Sequence, residues 1–301
     1  MFTVTLLTAP SNPTLDPALV DSLRNAWGGG DAVWLAPDEA AEFPVMKRPD
    51  NFDQVWADCQ NLNTDLCIQT TGHRRKKLLL ADMDSTMIEQ ECIDELAAEV
   101  GVGEKVADIT ARAMNGELDF DAALIERVGL LRGQDASIID KVLAERITYA
   151  KGARRLIATM KANGAKCVLI SGGFTAFAQK VADELGFDHA QANELLIADG
   201  KLTGDVARPI LGREAKVAAL QSLSEHLPRQ AVDAMAVGDG ANDLGMLHLA
   251  GSGIALHAKP AVAAQSDLRI NFGDLTSLLF LQGYSSVDFD HAAPETEDYA
   301  V

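Results

Sequence analysis

Long apolar runs are missing from this chain. No stretch reaches the ~18 consecutive apolar residues of a membrane-spanning helix, and the N-terminus "MFTVTLLTAPSN" has neither a basic leader nor an extended apolar segment. A soluble, uncleaved, cytoplasmic protein with no membrane partner is the expectation. Cysteine is sparse as well: Cys59, Cys67, Cys92 and Cys167 are scattered without a C-x-x-C pair, which argues against a zinc ribbon or a disulfide framework and fits a reducing compartment. Positive charge is short. Lys and Arg number 26 against 44 Asp and Glu, a net charge of −18, so a nucleic-acid partner, which needs clustered Lys and Arg, is not expected. The one basic run, "HRRKK" at 73–77, reads as a solvated connector. A G-x-x-x-x-G-K-[ST] phosphate loop is absent too.

What is present is an ordinary globular composition, 48% hydrophobic and 23% charged, over 301 residues, more than one domain usually takes. Residues 2–8 alternate as a strand, 16–27 have helical periodicity, 31–36 return to strand, 51–62 read as a helix and 65–71 as a strand, giving a small α+β unit over residues 1–75. From Leu78 onward apolar strands alternate with helices, the pattern of a mostly parallel sheet covered on both faces. Three runs stand out: "KLLLA" (77–81), "KCVLI" (166–170) and "AMAV" (234–237). Between the first two lie four helical stretches punctuated by Gly and Asn-Gly, an inserted module placed to cap the first strand's end. Asp199-Gly200 marks a two-residue hairpin. The acidic C-terminus, "APETEDYAV", reads as a mobile tail.

Each of the three runs ends in chemistry. "LLLADMDST" stops at Asp82 and Asp84, the second run delivers Ser171, Gly172 and Gly173, and the third continues as "GDGAND", Gly238 to Asp243. In an open α/β sheet the ligand crevice lies beyond the carboxyl ends of the strands, so these ends should meet. Carboxylates at such range repel and are costly to bury, and a divalent cation with oxygen ligands relieves both problems. Asp82 and Asp239 are the natural side-chain ligands of a Mg²⁺ ion, with the carbonyl of Asp84 as a further oxygen. Two carboxylates one residue apart can divide labour, one attacking phosphorus and one moving protons. Ser171, the glycine amides and a cation such as Lys216 would then neutralise phosphoryl oxygens.

The blander interpretations fail in combination. A lone D-x-D is often a turn or helix cap. "DMDSTMIEQECI" lacks the glycine and the final glutamate of a calcium loop. "GDGAND" puts Asp243 where a dinucleotide fingerprint needs its third glycine, and "LISGG" lacks the first glycine of a nucleophile elbow, making Ser171 a binder rather than a nucleophile.

"DMDST", "SGGF", Lys216 and "VGDGAND", in that order and with a helical insert after the first, resemble the haloacid dehalogenase superfamily and, within it, the phosphoserine phosphatase family. "GELDF", "ERVGLL" and "ANELLIADGKLTGDV" extend the resemblance over residues 78–281. It implies a Rossmann-like α/β core (76–86 and 151–283), a helical cap (87–150), an N-terminal unit that in relatives can be an ACT-like amino-acid-binding fold, and a tail (284–301). It further implies Mg²⁺-dependent hydrolysis of O-phospho-L-serine through an aspartyl phosphate, the last step of serine synthesis. Asp82 matches the nucleophile and Asp84 the general acid/base; Asp82, Asp84 and Asp239 match the metal site, supported by Asn242 and Asp243. Ser171, Gly172 and Lys216 match phosphate-binding positions. Glu91 matches the cap residue facing the substrate ammonium, Arg127 the one pairing with its carboxylate, and Met114 and Phe120 match pocket-lining residues. Residues 1–75 carry no motif that matches a regulatory fold, and a homodimer is left open. Competing expectations are a phosphotransferase using an alcohol such as homoserine, a phosphatase for another small monoester, and a non-catalytic amino-acid sensor, which the costly Asp82–Asp84 pair disfavours.

Overall fold

A computed structural model describes residues 1–114 and 118–290, without the side chains of residues 113 and 114. The first unit runs β1 (Phe2–Leu7), α1 (Pro17–Ala26), β2 (Val33–Ala36), β3 (Ala40–Val45), α2 (Phe52–Gln60) and β4 (Asp65–Thr70). Its antiparallel sheet has the order β2-β3-β1-β4, the split β-α-β pattern. Val4, Leu6, Phe43, Leu66 and Ile68 bury one face beneath Val20, Phe52 and Cys59 of the two helices. β3 escapes sequence reading because "AAEFPV" is poor in β-branched residues and contains a proline. The structure accommodates Pro44 because β2 pairs only as far as Glu42.

The other face of this sheet rests on the main body. There the chain continues as β5 (Leu78–Ala81), four helices in the stretch expected to form a cap, α3 (Cys92–Glu99), α4 (Gly103–Met114), α5 (Phe120–Gly129) and α6 (Ile138–Glu145), then α7 (Ala153–Ala162), β6 (Lys166–Phe174), α8 (Thr175–Leu185) and β7 (His189–Asn193). A hairpin of β8 (Leu195–Ala198) and β9 (Lys201–Val206) follows, turning at Asp199 and Gly200, both with positive φ as a primed turn requires. The chain closes with α9 (Arg213–Ser224), β10 (Ala234–Gly238), α10 (Leu244–Leu249), β11 (Ser252–Leu256), α11 (Pro260–Ala263), β12 (Leu268–Ile270) and α12 (Ser277–Leu281).

The main sheet is parallel throughout, in the order β12-β11-β10-β5-β6-β7. Strand alternation splits its residues cleanly. Leu79, Ala81, Cys167, Leu169, Met235 and Val237 join the core under α7, α8 and the cap, while Leu78, Leu80, Val168, Ile170, Ala234 and Ala236 pack with Leu220, Leu244 and Leu247 of α9 and α10. The chain leaves β5 towards β6 on one side and returns as β10 on the other, so the sheet's switch point lies at β5.

Residues 284–290, expected as the start of a tail, are instead packed. Tyr284 and Phe289 are buried, Phe289 lies 5.0 Å from Phe280, and Asp290 N–H donates to Thr159 Oγ1 at 2.8 Å. Two aromatic side chains among the acidic residues give this segment an apolar anchor. The remaining tail, 291–301, lies outside the described residues. All four cysteines are free and buried, and no described helix is long and apolar enough to cross a membrane.

Asp65 couples the two bodies. Its fully buried carboxylate, at the start of β4, accepts N–H bonds from Asn271 (2.8 Å), Phe272 (3.0 Å) and Gly273 (2.9 Å) just beyond β12. Burial pushes this carboxyl up and the three N–H groups pull it back. Asp65→Ala strands three donors, each costing ~1–3 kcal/mol if no water replaces the acceptor. Thermal denaturation should show a loss of at least ~2 kcal/mol, or ~4–8 °C for a body of this size; a shift below one degree would contradict the coupling.

Candidate active site

β5 and β10 are neighbours in register, with Ala81 opposite Val237, so Asp82 and Asp239 emerge side by side at their carboxyl ends. Asp243, at the entrance to α10, completes a buried cluster in which one carboxylate oxygen from each of the three lies within 4.8 Å of the others. Lys216, fully buried on α9, neutralises part of it: Nζ is 2.7 Å from Asp82 Oδ1 and 2.6 Å from Asp243 Oδ1. Burial alone would lower the Lys216 ammonium, but the Asp243 and Asp82 charges outweigh it and hold the lysine protonated.

Asp82 Oδ1 also accepts the Met83 N–H at 2.8 Å, so both anchors fall on one oxygen. Oδ2 has no hydrogen-bond partner among the described residues. Burial, then the charge of Asp243, push the Asp82 carboxyl up, against the pull of Lys216. Asp84 turns its side chain away from the cluster and towards the cap, where Oδ1 accepts Cys92 N–H at 2.8 Å and Oδ2 accepts the Ser171 hydroxyl at 3.1 Å. Burial and the nearby Glu91 raise it to about 6, despite those donors. A carboxyl in that range can exchange protons near neutral pH.

β6 supplies the facing wall. Gly173 N–H donates to Ser171 Oγ at 2.8 Å and is therefore turned inward, in contrast to the expectation that both glycine amides face a phosphate. A Cβ on Gly173 would sit 2.4 Å from Asp84 Oδ2, and one on Gly172 would sit 2.9 Å from Phe120 Cζ of the cap. Glycine is what lets the strand end approach both.

One cavity of about 170 Å³ gathers these groups, lined by Asp82, Asp84, Glu91, Phe120, Arg127, Gly172, Asp239 and Asn242 among others. That is below the ~300–1,000 Å³ of pockets for drug-sized ligands, so only a small molecule fits. Arg127 reaches it from α5 with its Nε–H on Ala123 O at 3.2 Å. Burial lowers the guanidinium, and Glu91, Asp94 and Asp84 push it back up. Ser171 and Lys216 stand behind the wall, each bonded to a carboxylate of the site, and Asp243 beside them accepts from Lys216 Nζ and from the Gly240 N–H. Met114 closes α4, but its side chain lies outside the described residues.

Sequence reasoning missed Lys259 and Ser85. Lys259 follows β11, a strand too short and too interrupted by Gly253 to register as an apolar run; its Nζ is 3.4 Å from Asp239 Oδ2. Ser85 follows Asp84 with φ +54°, a left-handed conformation uncommon for a non-glycine residue.

The match to known proteins agrees with this geometry. Residues 79–248 match the model for haloacid dehalogenase-like hydrolases. The chain belongs to that family. It is 45% identical over 226 residues to a probable phosphoserine phosphatase of Schizosaccharomyces pombe, covering 74% of this chain and 76% of that one. It is 41% identical over 302 residues to a phosphoserine phosphatase of Streptomyces coelicolor, covering 98% of this chain and 73% of the relative. Among solved structures, a hydrolase of this family from Salmonella enterica serovar Typhi superposes with a TM-score of 0.83 at 29% identity, over 93% of this chain and 98% of its own.

The donor set fits a hard divalent cation: buried, all-oxygen, and carrying three carboxylates against one fully buried lysine. Burial raises Asp239 to about 7, with Asp243 and Glu91 adding to the rise and Lys259 opposing it. A carboxyl raised in the fold binds protons that the unfolded chain has released, so its contribution to stability falls as pH rises from ~4 through 7. Asp239→Asn removes that term. With chelator present, the variant should gain on the parent between pH 5 and pH 8 by at least ~2 °C, the shift of about 1 kcal/mol; a difference independent of pH counts against the raised carboxyl.

Proposed function

We infer that this enzyme is a Mg²⁺-dependent phosphoserine phosphatase, hydrolysing O-phospho-L-serine to L-serine and inorganic phosphate through a phosphorylated Asp82, the closing reaction of serine biosynthesis. The observation that carries this is the meeting of the Asp82–Asp84 pair with Glu91 and Arg127 in one small cavity. Relatives matching most of the chain are phosphoserine phosphatases, which supports the same substrate. Sheet membership supports a division into an N-terminal unit (1–75), a core (76–86 and 151–283) and a cap (87–150). The free buried cysteines support a cytoplasmic setting.

Asp82 and Asp239 would hold the cation, with the main-chain oxygen of Asp84 adding a ligand and Asn242 and Asp243 supporting the set. When bound, Mg²⁺ supplies positive charge against the phosphoryl oxygens, letting an anionic nucleophile approach a phosphate dianion. Asp82 Oδ2 attacks phosphorus as the bond to the serine oxygen breaks, and Lys216 keeps the other carboxylate oxygen fixed throughout. Asp84 donates its proton to the departing serine oxygen. Water then attacks the phosphorus of the aspartyl phosphate, Asp84 takes up its proton, and the bond to Asp82 breaks to release phosphate. Ser171 orients Asp84 for both transfers. Substrate selection falls to the cap, where Arg127 would pair with the serine carboxylate and Glu91 with its ammonium.

Phosphate release from a panel of small phosphomonoesters should be greatest with phosphoserine and should vanish on chelation. Asp82→Asn should lower kcat by ~10³-fold or more, and Asp84→Asn by ~10²–10⁴-fold. Arg127→Lys should raise KM for phosphoserine about tenfold with a smaller effect on kcat. Phosphoserine hydrolysed no better than other monoesters would remove the substrate assignment, and an active Asp82→Asn would remove the mechanism.

A further inference from the structure

The carboxylate of Glu91 is tied to the core through one oxygen only. Glu91 stands immediately before α3, where the chain enters the cap, and its Oε1 accepts the Ser85 hydroxyl at 2.9 Å. The same Oε1 lies 3.9 Å from Lys259 Nζ. Oε2 has no hydrogen-bond partner among the described residues, and Glu91 lines the cavity.

Both holders are themselves fixed. Ser85 adjoins Asp84 in a left-handed turn, φ +54°, and its N–H donates to Gln90 O at 3.1 Å. Lys259 is pinned at its main chain, where its N–H donates to Asp239 O at 3.2 Å, and at its ammonium, 3.4 Å from Asp239 Oδ2. Its side chain is 47% exposed, which places it at the rim of the cavity. The lysine therefore bridges a core carboxylate and a cap carboxylate that would otherwise repel across the opening.

We propose that Ser85 and Lys259 are positioning residues for amine recognition: by occupying Oε1 of Glu91 they hold this cap carboxylate over the cavity with Oε2 left to accept the substrate ammonium. The inference rests on the assignment of phosphoserine as substrate. A glutamate free to rotate loses side-chain entropy when it meets the ammonium, whereas a moored one has already lost it. Ser85 and Lys259 thus act through Glu91 and need not touch the substrate.

The test compares phosphoserine with 3-phosphonooxypropanoate, the same ester without its amine, using the full-length chain with Mg²⁺. The parent should prefer phosphoserine in kcat/KM. Lys259→Met and Ser85→Ala should each reduce that preference, and together by about five- to tenfold, the size of one net hydrogen bond. The loss should lie in KM and be larger for phosphoserine than for the amine-free ester; any loss that comes from the contact of Lys259 with Asp239 falls on both esters and cancels in the ratio. Lys259→Arg should restore the preference. In a Glu91→Gln background the same substitutions should have no further effect on the ratio, the signature of action through one carboxylate. A KM that rises equally for both esters would make Lys259 a general attractor of anions and overturn the proposal, as would a preference that survives in both single variants. A parent with no preference for phosphoserine overturns the substrate assignment itself, and the proposal with it. The Lys259 variants carry the test even if Ser85→Ala fails to fold.

Discussion

The placement of one carboxylate oxygen each from Asp82, Asp239 and Asp243 within 4.8 Å of the others is the constraint around which this molecule is built. Three carboxylates buried at the ends of parallel strands repel, and each loses hydration. Lys216 answers two of them from beneath, fully buried and equidistant within 0.1 Å. That requires α9 to lie directly under β5 and β10, which the apolar face formed by Leu78, Leu80, Ala234, Ala236 and Leu220 ensures. The hydrophobic packing of the sheet thereby does electrostatic service: it fixes the buried lysine that holds Asp82 Oδ1.

The same logic governs the roof. Asp84 is half-buried and has no ion pair among the described residues; it accepts the Cys92 N–H of α3 and the Ser171 hydroxyl of β6. α3 and β6 therefore share a hydrogen-bonded carboxylate. Phe120 packs against the Cβ-less Gly172 and Gly212, which brings the cap down to within van der Waals range of the strand end. Any side chain at Gly172 would lift it. Contact of this kind limits the access of bulk water to the cavity.

Much of this was readable in advance because three apolar strands each end in a distinctive polar stretch. Parallel strands must deliver their carboxyl ends to the same side, so Asp82, Ser171 and Asp239 could be grouped without coordinates. The resemblance of "DMDST", "SGGF" and "VGDGAND" to haloacid dehalogenases added the cap residues Glu91 and Arg127, which periodicity alone leaves as ordinary solvated charges. β3 and β11 were not legible, since local propensity is weak where Ala, Gly and Pro make up three of six residues in one strand and two of five in the other, and tertiary pairing decides the outcome. Lys259 was lost along with β11. The packing of Tyr284 and Phe289 was hidden by the acidic residues around them.

The sequence by itself determined the alternation of strand and helix, the chemical content of each strand end and the family, because these depend on residue type and order along the chain. Only the tertiary structure decided which oxygen of each carboxylate is engaged: Asp82 through Oδ1, Asp84 through both, Glu91 through Oε1. Several of those choices arise from contacts between residues far apart in the chain, such as Ser171 with Asp84 at a separation of 87. Hydrogen bonds of a few ångströms are set by packing in three dimensions, and no local pattern encodes their direction.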